Sequence, residues 1–460
     1  MRRAITAGLG VLGFVVACNV RPAAPTGVVI VTLDTTRVDR LSPYGFMNVS
    51  LPHLERLARE GVIFDQATSV APLTLPAHTS LFTGLVPPRH GVRDNADPPL
   101  GDAHTTLAEV LQARGFRTGG FVGSVVLDPD RGLNQGFETY GSVGSTGSAG
   151  AAGRQRRADS VVNEAIRWLD GVGDAPFFLW VHLYDAHRPY DPPEPYASTY
   201  GHNPYVGEIA FADAQVGRLL EALERRRLLD RSVFVVAGDH GESLGERGER
   251  DHGILIYENV IRVPLIIRGG ALAPTRVSEV VRLTDIMPTV LDLLRVPTPA
   301  SLDGLSLTPL MQGRVRDLEL EAYAESMYPE RFGWSSLRAI RVGRYKFIDA
   351  PRPELFDLAR DPFEETNIYR DRRTLGDIMT ARAATVAKAG DQHAAGAGPA
   401  VAAEVHERLA ALGYAAAERR RPGADRARLP DPKDCLSKSA EAPESASGAL
   451  LRPCTSTSAK

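Results

Sequence analysis

Three short apolar runs rich in β-branched residues each stop at an acidic residue, and in two of them a histidine follows. Gly27–Leu33 (GVVIVTL) stops at Asp34, and Phe177–Leu183 (FFLWVHL) stops at Tyr184-Asp185-Ala186-His187. Residues 232–237 stop at Gly238-Asp239-His240. Continuous apolar runs of this length predict strands covered on both faces. Residues 119–126 and 263–267 predict further strands. Between them, residues 51–60 predict a helix with Leu51, Leu54 and Leu57 on one face and Gly61 as its stop, and residues 106–114 one closed by Gly115. Residues 158–169 and 207–225 predict two more. Strands alternating with helices, with polar residues collecting past the strand ends, predict an open α/β sheet whose site lies at the strands' carboxyl edge.

The chain has 460 residues, 43% of them apolar, enough for two or three domains. A net charge of −3 points to no nucleic-acid partner and no polybasic membrane patch. Arg2 and Arg3 precede an apolar run over residues 4–17 that is too short to span a bilayer and ends in small residues, as a secretory signal does. Val15-Val16-Ala17-Cys18 resembles a bacterial lipobox. That resemblance implies lipidation of Cys18 and an exported lipoprotein held at the outer membrane or facing the periplasm by its acyl chains alone; an ordinary signal peptide is the alternative. Cys435 and Cys454 remain in the mature chain and can pair in an oxidising compartment.

The expected boundaries are a signal peptide and linker over 1–25, a catalytic domain over 26–310, a small α+β subdomain over 311–372 and a low-complexity tail over 373–460. Residues 141–153 read as a flexible Gly/Ser/Ala loop. Residues 339–347 and 355–357 read as antiparallel strand material. Past about residue 370 periodicity fades and the tail is expected to be disordered, apart from a short helix over 404–412.

An aspartate after a strand is a common turn former or helix cap, so each strand end alone says little. Several carboxylates and imidazoles gathered past apolar strands point to a divalent cation. Residues 71–95 (APLTLPAHTSLFTGLVPPRHGVRDN) sharpen this. With Thr74, Pro76, Ala77, His78, Leu81, Thr83 and Gly84 they resemble the sulfatase signature, in which a Cys or Ser leads. Blocks at 28–45, 178–193, 238–264, 284–294, 302–310 and 344–367 are similar to later sulfatase blocks in the same order. The chain thus resembles the sulfatase family of the alkaline phosphatase superfamily over residues 27–370. The resemblance implies a mixed sheet sandwiched by helices with a small C-terminal subdomain.

It also implies a site: Asp34, Thr74, Asp239 and His240 as ligands of one divalent metal, His187 facing the leaving oxygen, and His252 where the family carries a lysine. Asn95 resembles the amide that hydrogen-bonds the transferred group, and His78 and Asp185 are expected to line the substrate pocket. The departures matter as much. Sulfatases convert the leading Cys or Ser to formylglycine, which Thr74 cannot become. A threonine there resembles the phosphodiesterase, phosphoethanolamine-transferase and lipoteichoic-acid-synthase branches, where it attacks phosphorus. Helix capping is the other reading of Thr74, and a solvated loop that of His252. Thr35 replaces a second carboxylate, which leaves the metal open among Mn, Zn, Mg and Ca. Ser124 and Val126 replace a Lys-x-His pair, thinning the anion clamp.

The expectation is therefore a metal-dependent hydrolase, or transferase, of phosphate or phosphonate esters through Thr74. A sulfatase and a non-catalytic binding lipoprotein are the alternatives. The expected partner is a small-molecule, glycan or lipid ester.

Overall fold

A computed structural model describes residues 24–143, 155–269, 272–389, 429–439 and 454. Cys18 and the rest of the signal-like segment to residue 23, loop residues 144–154 and the helix expected over 404–412 lie outside the described residues. Eight strands form one sheet: β1 (Gly27–Leu33), β2 (Val62–Thr68), β3 (Arg117–Val122), β4 (Thr139–Gly141), β5 (Phe177–Leu183), β6 (Ser232–Gly238), β7 (Arg262–Arg268) and β8 (Thr275–Arg282). Their order is β4-β3-β5-β1-β6-β7-β2-β8, and β7 runs antiparallel to both its neighbours. The alternation of strand and helix is as the sequence predicts, and the sheet is mixed.

β1 shows why its residues are apolar but for Thr32, next to its end. Val28 and Ile30 join the core on one face, with the helices Thr74–Thr83 and Ile286–Leu293. Val29, Val31 and Leu33 join the core on the other, with the helices Ala158–Asp170 and Pro204–Arg225. A strand covered on both sides has no position for a polar residue except at its end. β1 lies between β5 and β6, and Leu33 pairs with Leu183 on one side and Gly238 on the other. The three acidic strand ends therefore finish side by side.

A second, antiparallel sheet, β12-β11-β10-β9, is built from β9 (Glu321–Ser326), β10 (Leu337–Val342), β11 (Tyr345–Asp349) and β12 (Glu354–Asp357). The single run expected over 339–347 is a hairpin, reversed at Gly343, whose φ of 54° suits glycine. The strand expected over 119–126 ends at Val122, because the Ser124 side chain accepts the Val126 N–H and starts a 3-10 turn over Val125–Leu127.

The tail expectation needs correcting. Arg373–Ala389 is helical, and its Met379, Ala383 and Ala387 pack on Ile340, Phe347 and Leu355 of the second sheet. Ordered structure thus continues past residue 372; the buried stripe is mostly alanine and glycine, which reads as low complexity. Farther on, Pro432–Ser439 is a helix held by Ser335 N–H to Pro430 O (2.9 Å) and Arg352 N–H to Asp431 Oδ2 (3.0 Å). Cys435 and Cys454 form a disulfide.

Buried charges join the two sheets. Lys346 is fully buried, with Nζ 3.1 Å from Glu258 and 2.8 Å from Glu364, and Arg341 also reaches Glu258 at 3.1 Å. The Lys346→Met variant leaves two buried carboxylates short of a cation. It should lose about 3–5 kcal/mol of unfolding free energy, read from urea denaturation.

The helix Pro52–Glu60 has Leu51 at its N-cap, whose side chain cannot accept a bond from the first-turn N–H groups. Asp213 does so from another helix, its two oxygens accepting Leu54 N–H (2.7 Å) and His53 N–H (3.3 Å). Burial outweighs these bonds and pushes the Asp213 carboxyl from 3.8 up to about 7. Because the folded value is the higher one, this group's contribution to stability falls as pH rises from 3.8 to about 7 and is level above that. The Asp213→Asn variant should therefore gain stability relative to the native protein across that window, measured by chemical unfolding at a series of pH values.

Candidate active site

Two of the three neighbouring strand ends, those of β1 and β6, deliver Asp34, Asp239 and His240 to one point, each fully buried. His240 Nε2 lies 3.8 Å from Asp34 Oδ1, 3.5 Å from Asp239 Oδ2 and 3.3 Å from Thr74 Oγ1. The carbonyl of Gly241 accepts from His240 Nδ1–H (3.0 Å), which leaves a lone pair on Nε2. Burial, followed by the His252 charge, pushes the His240 pKa down to about 3, so the ring is neutral.

Thr74 opens the helix Thr74–Thr83 without capping it: Leu73 is the N-cap, and no side chain of the helix start caps it. Asn95 does that work, its Oδ1 accepting the Leu75 N–H at 2.9 Å. The Thr74 hydroxyl is thereby left to face His240. Asn95 Nδ2 is buried and has no protein partner, so one donor points to something the protein does not supply. Arg131 fixes the same residue from behind by donating to the Asn95 carbonyl (2.9 Å).

Both oxygens of Asp34, Asp239 Oδ2 and Thr35 Oγ1 are buried and lack hydrogen-bond partners. Carboxylates so placed cost free energy unless a cation joins them. Burial works against ionising Asp34, but His182 beside it, together with His187 and His240, more than offsets that and holds its carboxyl below the usual range. Burial and the Asp34 charge push Asp239 well up. Oxygen and imidazole donors gathered this tightly suit a divalent cation. Thr35 sits in the turn with φ 49°, a strained value for a β-branched residue. It is clamped there by its N–H to Asp239 Oδ1 (3.2 Å) and by the Tyr205 hydroxyl donating to its carbonyl (2.7 Å).

His182 was not expected at the site. Its Nδ1 accepts the Gly123 N–H (3.4 Å), so the ring proton sits on Nε2, 3.3 Å from Asp34 Oδ2 and off the line of a good hydrogen bond. A lone histidine inside the apolar β5 was the available signal.

His78 and Asp185, expected in the substrate pocket, are otherwise engaged. Trp180 Nε1–H donates to Thr32 Oγ1 (3.0 Å), Thr32 donates to His78 Nε2 (2.9 Å), and His78 Nδ1–H donates to the Thr74 carbonyl (2.8 Å). Both nitrogens of His78 are spent, and burial followed by the His182 charge pushes its pKa down to about 3. It holds the Thr74 backbone and has no donor left for an anion. Asp185 Oδ2 accepts the Ala158 N–H (2.7 Å) and so supports a helix start. Burial raises its pKa to about 7.

His187 and His252 do reach the site. His187 stacks on Tyr184 at 4.4 Å and gives Nδ1–H to the Arg188 carbonyl (2.6 Å). His252 is buried, which rules out the solvated-loop reading; its ring lies 4.5 Å from His240 and 4.9 Å from His187. Its Nδ1 lies 3.1 Å from Glu242 and 2.8 Å from Asp251. Burial opposes its protonation, but those two carboxylates win and raise its pKa well above the usual value. The nearby guanidinium groups are committed: Arg37 to Asp39 and Glu246, Arg93 to Glu325, and Arg331 to Asp94.

A family model described as sulfatase matches residues 26–296, and one described as N-sulphoglucosamine sulphohydrolase, C-terminal, matches residues 245–387. An ulvan-active sulfatase of Formosa agariphila is 26% identical over 398 residues, 75% of this chain and 77% of that protein. An arylsulfatase of Clostridium perfringens is 25% identical, over 75% of this chain and 91% of that one. Among solved structures, a protein in complex with its substrate D-glucosamine-2-N,6-O-disulfate superposes with a TM-score of 0.69 at 21% identity, over 81% of this chain and 98% of that one. The phosphonate monoester hydrolase of Agrobacterium radiobacter does so with a TM-score of 0.67 at 24% identity, over 81% and 96%. At these identities the solved structures show a shared fold.

If a cation neutralises Asp34 and Asp239, chelator treatment should lower the unfolding midpoint. Restoring Mn, Ca, Mg or Zn at a hundredfold over Kd should return about 3 kcal/mol. Asp34→Asn should abolish that increment, as read by thermal melting with and without metal.

Proposed function

The chain belongs to the sulfatase family of the alkaline phosphatase superfamily, and on that footing we propose that it is a metal-dependent hydrolase of sulfate esters with Thr74 as nucleophile. The observation that carries this reading is the Thr74 hydroxyl, relieved of capping by Asn95 and set 3.3 Å from His240 beside two carboxylates with open oxygens. Asp34, Asp239, His240 and Thr74 would hold the cation, which supplies Lewis-acid charge at the attacking oxygen and the transferred group.

Thr74 loses its hydroxyl proton to solvent and Oγ1 bonds to the central atom as the ester bond breaks. His252, kept protonated beside Asp251 and Glu242, gives a proton to the departing oxygen, and His187, whose Nδ1–H is held by the Arg188 carbonyl, turns Nε2 to the same side as an acceptor. Asn95 Nδ2 donates to a non-bridging oxygen. Water then cleaves the threonine ester and regenerates the hydroxyl. The D-glucosamine-2-N,6-O-disulfate bound to a related fold points to a sulfated carbohydrate or other small anionic ester.

A second reading, phosphonate or phosphate esters, is favoured by Thr74 itself. Threonine has no route to the formylglycine expected of sulfatases, and attack by an alcohol on phosphorus needs none. Export follows as part of the same proposal, with Cys18 as the lipid anchor; the Cys435–Cys454 pair suits an oxidising compartment.

The test is a panel of 4-nitrophenyl sulfate, phosphate, phenylphosphonate and bis-4-nitrophenyl phosphate with each divalent metal. Activity should require metal and fall on the order of a thousandfold or more in Thr74→Ala. Undiminished turnover in Thr74→Ala removes the threonine mechanism. Preference for a phosphorus ester selects the second reading. Inactivity of the native protein on every substrate would favour a binding protein.

A further inference from the structure

Glu242 is fully buried and lies two residues beyond His240. A buried carboxylate is ordinarily matched by a guanidinium or ammonium, but the nearby Arg37 goes elsewhere, to Glu246, Asp39 and the Glu242 backbone carbonyl. The side-chain oxygens of Glu242 have different partners: Oε1 lies 3.1 Å from His252 Nδ1, and Oε2 accepts the Tyr190 hydroxyl at 3.2 Å. Tyr190 belongs to the same loop as His187, and its ring packs edge-on against Tyr205, which holds the Thr35 turn. One carboxylate thus links the two loops that carry His187 and His252.

We infer that Glu242 is the positioning residue that sets the orientation of the His252 ring. The inference rests on the ester-hydrolase reading and extends it to a residue outside the reacting centre. A carboxylate acceptor at Nδ1 keeps the Nδ1 proton in place and assigns exchange with the substrate to Nε2. Asp251 also reaches Nδ1, but its side chain is 52% exposed against 0% for Glu242. Asp251 is tied to the backbone N–H of His252 itself (3.0 Å) and is screened by solvent, whereas Glu242 acts at low dielectric and ties the ring to Tyr190 of the other loop. The same bond keeps the His252 ring against His240. Loss of the acceptor frees the ring to turn, and misplacement of a reacting group by about 1 Å is worth on the order of a hundredfold in rate.

The test is a double-mutant cycle on the ester that the native protein turns over best. Glu242→Ala should lower kcat about a hundredfold and leave KM within about threefold. Glu242→Gln, which still accepts from Nδ1–H, should recover to within about tenfold of the native kcat. In a His252→Ala background, Glu242→Ala should cost nothing further, because the residue it positions is gone. Metal content, measured on every variant, should be unchanged. Equal losses with and without His252, or loss of metal, would make Glu242 a structural support and overturn the inference. If the native protein turns over no ester, the functional reading fails on its own. The crystal structure of Glu242→Ala then decides the positioning claim: a His252 ring moved away from His240 upholds it, and an unmoved ring overturns it.

Discussion

Two carboxylates, Asp34 and Asp239, end adjacent parallel strands in register, both fully buried and both short of hydrogen bonds. Like charges brought this close in a low-dielectric interior repel strongly, and either a proton on Asp239 or a cation between the two relieves them. Much of the surrounding structure accommodates that requirement. β1 and β6 are apolar but for Thr32 and Ser232, so that the sheet places the acids with little freedom to splay. The Thr35 turn takes a strained conformation and is clamped from two sides. Neutral His240 and the Thr74 hydroxyl complete a donor set that no arginine or lysine enters among the described residues.

Around that centre, several residues with polar side chains work on the backbone instead of on substrate. His78 is the clearest case. The chain from Trp180 through Thr32 to His78 ends on the Thr74 carbonyl and fixes the residue whose hydroxyl faces His240. Asn95 caps the helix that Thr74 opens, which releases the threonine hydroxyl from that duty. Asp185 and Asp213 each support the start of a helix they do not belong to. A residue type suited to catalysis and one suited to capping are often the same, and only the partner at the other end of the bond separates them.

The family membership and the threonine pull the functional reading in two directions. The scaffold, the second sheet and the curated relatives are those of sulfatases, so the initial preference for phosphorus esters gives way to sulfate esters as the leading reading. The chemistry at residue 74 is a hydroxyl. A hydroxyl activated by a cation can attack any tetrahedral oxyacid ester in principle, and the surrounding charge helps to decide which. His252, held between Glu242 and Asp251, brings little net positive charge because its own partners balance it.

The sequence alone determined the strands that end in acid, the helices between them, the family resemblance and the set Asp34, Thr74, Asp239 and His240. These follow from local pattern and collinear motifs, which a chain carries in one dimension. β2 and β8 were hidden because polar residues interrupt them, and the helix Arg373–Ala389 because its buried face is alanine-rich. Only the tertiary structure decided that His78 and Asp185 are spent on the backbone, that His182 stands beside Asp34, and that Glu242 holds His252. Each of those assignments depends on which atom meets a given nitrogen or oxygen across a fold, and hydrogen-bond partners distant in sequence leave no periodicity behind.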